Sequence, residues 1–242
     1  MKSHFRSFGL VALVGAAALA ASTSTANAAF IGFNITADNG TLETIITSPS
    51  IQLVTTDLGP FYTVAGPPDV TVGSNNAITF NFDNGLSPGI SAAARGIIIQ
   101  QALDGHLVID VHFDEPVSLV ATISEAGVFT TTGDGQVGVV GGTVVLEAVN
   151  PLATETHAAD LDTTIGNGAW SATATTAPFN NFFTDYQIVI DNDLFASAIT
   201  GSSSISKMAF MIQIVPTPVP EPAALSLLGL AAPTLLLRRR RP

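Results

Sequence analysis

The sequence predicts an all-β protein, namely a single antiparallel β-sandwich of jelly-roll type over residues 29–215. Three observations indicate this class. β-Branched Val, Ile and Thr are abundant, while the helix formers Lys, Glu and Gln are scarce. Short apolar or alternating runs recur along the chain. Asn-Gly and Asp-Gly pairs, which suit turns with positive φ, separate several of these runs.

The predicted elements follow from these runs and turns. The strands are predicted at Phe30–Thr36, Thr44–Thr56, Phe61–Ala65, Ala77–Phe82, Gly96–Gln101, His106–Phe113, Val117–Ile123, Gly138–Val149, Tyr186–Ile190 and Ile205–Val215. The turns are predicted at Asp38-Asn39-Gly40, Asp83-Asn84-Gly85, Asp104-Gly105, Asp134-Gly135 and Asn167-Gly168. One short helix is predicted at Leu194–Ile199 or at Ser91–Ala94. Residues 150–181 have little periodicity and are predicted as a long loop that Trp170 and Phe179 anchor in the core.

The predicted body is strongly acidic. Between residues 29 and 215 it has eighteen Asp and Glu against two cations, Arg95 and Lys207, so its formal net charge is 2 − 18 = −16. The whole-chain value of −11 conceals this, because the other six basic residues lie near the two ends. Such a body is not expected to bind nucleic acid. The chain has no cysteine, so an exported product would depend on its core for stability.

The first 28 residues have the pattern of a secretory signal peptide. Lys2 and Arg6 precede an apolar run over residues 9–21, and Ala26 and Ala28 supply the small residues of a cleavage site. Cleavage is predicted after Ala28, and the secretion machinery is an expected partner. The alternative, a retained N-terminal anchor, is disfavoured because the apolar run is short.

Residues 216–242 contain three parts in a fixed order. A strip with proline at every second position comes first, which favours accessible, extended polyproline II backbone. An uncharged run of 15 residues, 223–237, follows. As a helix it would reach about 22 Å, against about 30 Å for a hydrocarbon core, so we predict a short transmembrane helix. A basic stop that favours the cytoplasmic side ends the chain: Arg238, Arg239, Arg240 and Arg241.

This tail resembles a PEP-CTERM sorting domain over roughly residues 217–242, and its motif consists of Val219, Pro220, Glu221 and Pro222. The resemblance implies an exported bacterial protein that an exosortase, a membrane protease or transpeptidase, cuts near the Pro-Glu-Pro motif. It also implies a role in exopolysaccharide, biofilm or floc formation. The helix would anchor the protein transiently, before it reaches the cell surface or the exterior. The alternative is an ordinary C-terminal tail anchor with a proline linker.

The densest group of chemically active side chains falls on the predicted strand from His106 to Asp114. Alternation places one set towards a core: Leu107, Ile109, Val111 and Phe113. It places the other set on the opposite face: His106, Val108, Asp110, His112 and Asp114. Neighbours on one face lie about 7 Å apart, so a metal or proton-transfer site would need a partner strand or His157. The alternative is a solvated polar face.

A weak structural calcium site is the one cofactor considered. The run from Asp160 to Thr164 begins like a calcium loop, but Ile165 stands where an EF-hand requires Gly, and Ser171 where it requires Glu. An EF-hand is therefore rejected. A looser site would use carboxylates from several loops: Asp160, Asp162, Asp191 and Asp193. The alternative is a set of ordinary acidic turns.

Three functional hypotheses follow. The first is an exported, non-enzymatic cell-surface or extracellular-matrix protein, associated with exopolysaccharide or biofilm and sorted by its C-terminal signal. The second is a carbohydrate-binding or calcium-dependent adhesion module, for which the Tyr and Trp residues are few: Tyr62, Trp170 and Tyr186. The third is a hydrolase that uses the His106–Asp114 face. The expected partners are an exosortase-type enzyme and extracellular polysaccharide, and no catalytic residue is predicted for the first hypothesis.

Overall fold

The computed structural model describes residues 28–219, with gaps at 64–65, 74–75, 83–89 and 149–154. The described residues form strands, turns and irregular segments, and no helix occurs among them. Within this part of the chain there is accordingly no helical segment that could cross a membrane. They fall within one compact unit bounded by Asn27 and Val219. The all-β class is confirmed.

Twelve strands are described. They are β1 (Phe30–Ile46), β2 (Gln52–Gly59), β3 (Asp69–Val72), β4 (Ile78–Asn81), β5 (Ser91–Arg95), β6 (Ile98–Thr132), β7 (Gln136–Ala148), β8 (Thr156–Asp160), β9 (Asp162–Gly166), β10 (Ala169–Thr175), β11 (Phe183–Ser197) and β12 (Ser202–Pro218). All pairings are antiparallel and connect the strands in the order β3-β4-β12-β5-β6-β11-β7-β8. In addition β1 and β10 pair with β6, and β2 and β9 extend them at the edges.

Strand β6, which is 35 residues long, organises the sheet because two groups of strands are built on it. The first strand group consists of the first half of β6 with β1, β2, β11, β7 and β8. The second strand group consists of the second half of β6 with β12, β10, β9, β3, β4 and β5. The ladders skip residues 114–116, which include Pro116, where β6 changes partners. Proline lacks the N–H that a ladder position needs, which explains this break.

Side chains from both strand groups meet in one hydrophobic core. Phe30 and Phe33 of β1 contact Phe80 of β4 edge to face, with ring centroids 6.2 and 5.1 Å apart. Trp170 and Phe179 are buried, so their predicted role as core anchors is confirmed. A division of the sheet into two jelly-roll layers stays a prediction.

The single predicted helix is wrong at both of its alternative positions, since strands cover most of these residues. Leu194–Ser197 ends β11, and Ser91–Ala94 lies in β5. In β5 the alanines at 92 and 94 are buried while Ser91, Ala93 and Arg95 are exposed. Burial with a period of two is decided by pairing with β12, and this tertiary context outweighs the helix propensity of alanine.

The predicted long loop over residues 150–181 is also wrong, because it contains β8, β9 and β10. Its strands alternate small residues with threonine: Ala172 and Ala174 face the core, and Thr173 and Thr175 face solvent. Such weakly apolar alternation is easily mistaken for a loop. The turn predicted at Asn167-Gly168 is confirmed as the connection between β9 and β10, with φ values of 54° and 76°.

Two other predicted turns, Asp38-Asn39-Gly40 and Asp104-Gly105, are wrong because they lie inside β1 and β6. Gly40 pairs directly with Gly105, and the ring of Phe61 lies against both. A Cβ atom would come within 2.3 Å of that ring at Gly40 and within 2.4 Å at Gly105. These glycines therefore serve a close packing contact and not a change of chain direction. The Asp134-Gly135 turn between β6 and β7 is confirmed.

The predicted proline strip begins inside the fold. Pro216 and Pro218 belong to β12, opposite Leu119 and Val117 of β6, and Pro216 is buried. The expectation of accessible backbone is therefore wrong at these two positions. Strand β4 pairs only with Met211–Ile214, so proline is tolerated beyond that ladder.

Several predictions concern residues that lie partly or wholly outside the described part of the chain. Residues 61–63 of the strand predicted at Phe61–Ala65 are not in a strand. The Asp83-Asn84-Gly85 turn, the signal peptide before Ala28, and everything after Val219 lie outside the described residues. These include the cleavage residue Ala26, the motif residues Pro220, Glu221 and Pro222, the helix over 223–237, and the basic stop from Arg238 to Arg241.

Replacing Gly105 by alanine tests the packing of Phe61 on the paired glycines. We expect Gly105→Ala to lower the free energy of unfolding by about 1–3 kcal/mol, because the new methyl group overlaps the ring. The measurement is equilibrium denaturant unfolding. Gly32→Ala is the control, since a Cβ there meets nothing within 4 Å, and we expect it to be neutral or slightly stabilising. Equal effects of both variants would contradict this account.

Candidate functional site

The face of β6 that carries His106, Asp110 and His112 is turned away from the core. Leu107, Ile109 and Val111 are fully buried, as the alternation predicts. The polar residues are partly exposed, and Asp114 is exposed. Val108 is the exception, because only 9% of it is exposed although it lies on the polar face.

Strand β11 supplies a partner to His112, Asp110 and His106 of this face, whereas Asp114 accepts a hydrogen bond from the backbone N–H of Ala29. Asp185 lies opposite His112, and their Oδ1 and Nδ1 atoms are 2.7 Å apart. Gln187 donates a hydrogen bond of 2.9 Å from Nε2 to Asp110. The next pairs along the ladder are His106 with Asp191 and Asp104 with Asp193. The Thr184 hydroxyl and then the His112 ring lower the pKa of Asp185.

The third body histidine does not join this face. His157 lies on β8 opposite Leu146, a core residue, and its ring contacts Phe179 at 4.8 Å between centroids. Its Nε2 atom is 2.8 Å from Oε1 of Glu155. His157 therefore does not converge on the His106–Asp114 face, whereas β11 brings the further carboxylates of Asp185 and Asp191 to it.

An acidic corner lies at one end of the polar face and consists of Glu43, Asp104, Asp191 and Asp193. A cavity of about 290 Å³ opens there, lined in part by Glu43, Asp104 and Asp193. Partial burial, followed by repulsion from Asp104 and Asp191, raises the pKa of Asp193 to about 6. Burial and the neighbouring Asp104 also raise the pKa of Asp191. Carboxylates crowd at this corner without a cation to balance them among the described residues.

The four predicted calcium ligands do not form one site. Asp160 of β8 pairs with Thr143 of β7, which pairs with Asp191. Asp160 and Asp191 are thus two strands apart, with Cα atoms separated by roughly 9–10 Å. Asp162 pairs with Thr173 in the second strand group. The described residues contain no group of three or more His, Asp or Glu side chains placed to hold a metal ion.

A second polar site lies in the core, and we call it the buried polar cluster: Glu125 of β6, Asn192 of β11 and Lys207 of β12. Their exposures are 3%, 2% and 1%. The Lys207 ammonium donates to Oε1 of Glu125 at 2.9 Å. The Asn192 side-chain amide donates to Oε2 of the same carboxylate at 2.5 Å. One carboxylate therefore links three strands and bridges the two strand groups.

Aromatic rings enclose the buried polar cluster. The Nζ atom of Lys207 lies 5.2 Å from the ring centroid of Tyr62 and 5.1 Å from that of Phe210. Desolvation lowers the pKa of Lys207, against the opposing effect of Glu125. Desolvation also raises the pKa of Tyr62, and the nearby carboxylates, Glu125 first, add to the rise. The Tyr62 hydroxyl donates to the carbonyl of Gly105 at 3.4 Å.

Asp38 holds the segment that carries Tyr62. Its Oδ1 atom accepts hydrogen bonds from the backbone N–H groups of Phe61 and Tyr62, each at 2.8 Å. Its Oδ2 atom accepts from the backbone and the hydroxyl of Thr63. The half-buried carboxylate of Asp38 on β1 thus positions one wall of the buried polar cluster.

Sequence reasoning missed the buried polar cluster, although a signal was present. Glu125 continues the inward series of Ala121 and Ile123, and Asn192 continues that of Ile188 and Ile190. Lys207 likewise follows the buried Ile205 at a spacing of two. In each strand a polar residue stands where the alternation requires an apolar one. Three such exceptions on three strands indicate a shared polar contact.

Comparison with protein-family models finds no match for this chain, and comparison with curated proteins finds none either. The resemblance of the tail to PEP-CTERM sorting domains therefore stays a prediction.

The acidic corner predicts that stability depends on pH. Since the pKa of Asp193 is about 6 in the folded chain and 3.8 ordinarily, the folded chain holds this proton more tightly than the unfolded chain. The resulting stabilisation is full below about 3.8 and is lost as the pH rises through about 6. The Asp193→Asn variant lacks this titration. As the pH rises from about 3.8 to about 6, its free energy of unfolding should therefore rise relative to that of the wild type.

Denaturant unfolding at a series of pH values measures this difference. The control is Asp110→Asn, which removes a charge from the same face at a position hydrogen-bonded to Gln187. Its difference from wild type should change less between pH 4 and pH 6 than that of Asp193→Asn. Parallel pH profiles for wild type and Asp193→Asn would refute the assignment.

Proposed function

We propose that this chain is an exported, non-enzymatic cell-surface or extracellular-matrix protein, whose body is a two-layer, jelly-roll-like β-sandwich. The signal peptide directs export, and the C-terminal PEP-CTERM-like signal directs sorting and cleavage by an exosortase-type enzyme. The mature body then lies at the cell surface or outside, in an exopolysaccharide matrix or biofilm.

The observation that carries this proposal is the extent of the compact unit, which is bounded by Asn27 and Val219. The predicted signal cleavage after Ala28 lies just inside the first bound, and the predicted processing motif at Pro220–Pro222 directly follows the second. The first strand begins at Phe30, and the last one ends at Pro218. Cleavage at both places would therefore leave every described strand intact.

The surface chemistry of the body supports an extracellular role. The body has only two cations, and several of its carboxylates accept hydrogen bonds from backbone N–H groups instead. Asp134 accepts from the N–H groups of Thr200 and Gly201. Oε2 of Glu155 accepts from Asn181 and Oε1 accepts from Asn180, and these bonds oppose desolvation and hold the pKa of Glu155 at about 2. Such charges persist over a wide pH range and keep the surface acidic.

The same charge restricts the partner. A body with a formal charge of −16 repels an anionic polysaccharide at low ionic strength. The polysaccharide that we propose as a partner is therefore either neutral or bridged to the acidic face by divalent cations.

The position of the mature C-terminus tests the sorting proposal. Mass spectrometry of protein purified from the surface of the native host should find a new C-terminus near Pro220–Pro222, because the exosortase-type enzyme cuts there. Glu221→Ala should leave the chain uncut. Thr217→Ala is the control, since Thr217 is exposed in β12 and lies outside the motif, and it should be cut normally. A surface protein that still ends in Arg241-Pro242 would overturn the proposal.

A further inference from the structure

The composition of the buried polar cluster requires an explanation. Lys207 and Glu125 have side chains with no exposure, and ion pairs of this kind are often no more stabilising than well-packed apolar residues. Lys207 is also one of only two cations in an otherwise acidic body. In addition, the Oδ1 atom of Asn192 is buried and has no hydrogen-bond partner. Buried unpaired oxygens are rare in folded proteins.

The geometry brings a nucleophile, an acyl group and a proton carrier together. The two oxygens of Glu125 bind the Lys207 amine and the Asn192 amide at the same time, at 2.9 and 2.5 Å. Groups bound to the two oxygens of one carboxylate are neighbours. The amide orientation is fixed by this contact, because the Nδ2 group donates and the carboxylate accepts. The unpaired Oδ1 atom therefore belongs to a carbonyl that no neighbouring donor engages.

From this arrangement we propose that Lys207 and Asn192 form an intramolecular isopeptide bond, with Glu125 as the group that transfers the proton. The product joins Nζ of Lys207 to Cγ of Asn192 and releases ammonia. This inference is independent of the sorting proposal, since it depends only on side chains of the core.

The reaction balances without an oxidant or an added reactant. Glu125 accepts a proton from the Lys207 ammonium, and the neutral amine attacks Cγ of Asn192 while the C=O electron pair moves to Oδ1. Glu125 then carries a proton from Nζ to Nδ2. The Cγ–Nδ2 bond breaks, the carbonyl re-forms, and ammonia leaves with its electron pair. The proton first taken from the Lys207 ammonium stays on Glu125, which ends as a neutral carboxylic acid and leaves no unpaired charge in the core.

The surroundings favour attack by Lys207 on Asn192. Burial lowers the pKa of Lys207, which makes the nucleophilic neutral amine more accessible. The rings of Tyr62 and Phe210 exclude water, so hydrolysis does not compete. Three strands hold the reacting groups in place, which removes most of the entropic cost of bringing them together. Release of ammonia to bulk water draws the reaction forward.

The bond would link β11 to β12 inside the core. It would close a loop between residues 192 and 207, and such a closure restricts the unfolded chain as a disulfide does. The chain has no cysteine, so this chemistry would supply the covalent link that other exported domains obtain from disulfides.

Tryptic digestion of the denatured full chain tests the proposal. Between residues 29 and 215 trypsin can cut only after Arg95 and Lys207. We expect cleavage after Arg95 and none after Lys207, because an acylated lysine is not a substrate. The intact mass should be lower, by the mass of one ammonia molecule, than the mass calculated from the sequence between the observed N- and C-termini. Further cleavage before Asp193 should leave two peptides joined through Lys207 and Asn192.

Lys207→Arg is the matched control, because it keeps the cation but cannot form the bond. It should show the full mass, cleavage after residue 207 and a lower melting temperature. Glu125→Gln should also retain the full mass. If either variant fails to fold, tandem mass spectrometry of the wild-type peptides still tests the proposal. Wild-type protein with the full mass and normal cleavage after Lys207, even after prolonged incubation of the folded chain, would overturn the proposal.

Discussion

The core depends on the hydrogen bonds and the ion pair of the Glu125 carboxylate, because they link strands of the two strand groups. The two oxygens of this carboxylate bind Lys207 of β12 and Asn192 of β11, while Glu125 itself lies on β6. Removing one member would leave an uncompensated charge or an unpaired polar group in a dry interior, at a cost of about 3–5 kcal/mol for a broken buried pair. The register of the three strands is therefore coupled to one side chain.

The scarcity of cations explains how the remaining acidic residues are used. With Lys207 inside the core, Arg95 is the other cation of the body, and most carboxylates must be satisfied by N–H groups or by water. Asp38 and Asp134 each bind consecutive backbone N–H groups and hold the segments that carry them. At the acidic corner burial and then repulsion between neighbouring carboxylates raise the pKa of Asp191 and Asp193. Because cations are scarce, carboxylates such as Asp38 and Asp134 bind backbone N–H groups and hold nearby segments. The carboxylates of the acidic corner instead crowd together at the surface.

The sequence predicted the class of the fold and the inward face of β6, because strong alternation such as Leu107, Ile109 and Val111 leaves few other interpretations. It did not predict β8 to β10, since alanine and threonine alternate there with little contrast in hydropathy. The turns predicted at Gly40 and Gly105 were wrong because glycine is needed there for another reason: the ring of Phe61, from a distant segment, packs against both. Long-range contacts of this kind leave no local pattern.

The candidate sites were likewise predictable only where a single strand carried the pattern. The polar face was visible in the sequence as a row of side chains, but its pairing with β11 depends on register and could not be read from one strand. Glu125, Asn192 and Lys207 lie up to 82 positions apart, so only the fold shows that they share one contact. Each violates the alternation of its own strand, and together these exceptions could have suggested a buried polar group.

A high-resolution crystal structure of the folded protein, with Lys207 and Asn192 refined without restraints between them, tests the central claim most directly. The account predicts continuous electron density from Nζ of Lys207 to Cγ of Asn192, planar geometry about the new amide, and no density for Nδ2. Two separate side chains at van der Waals distance, each complete and hydrogen-bonded to Glu125, would contradict it.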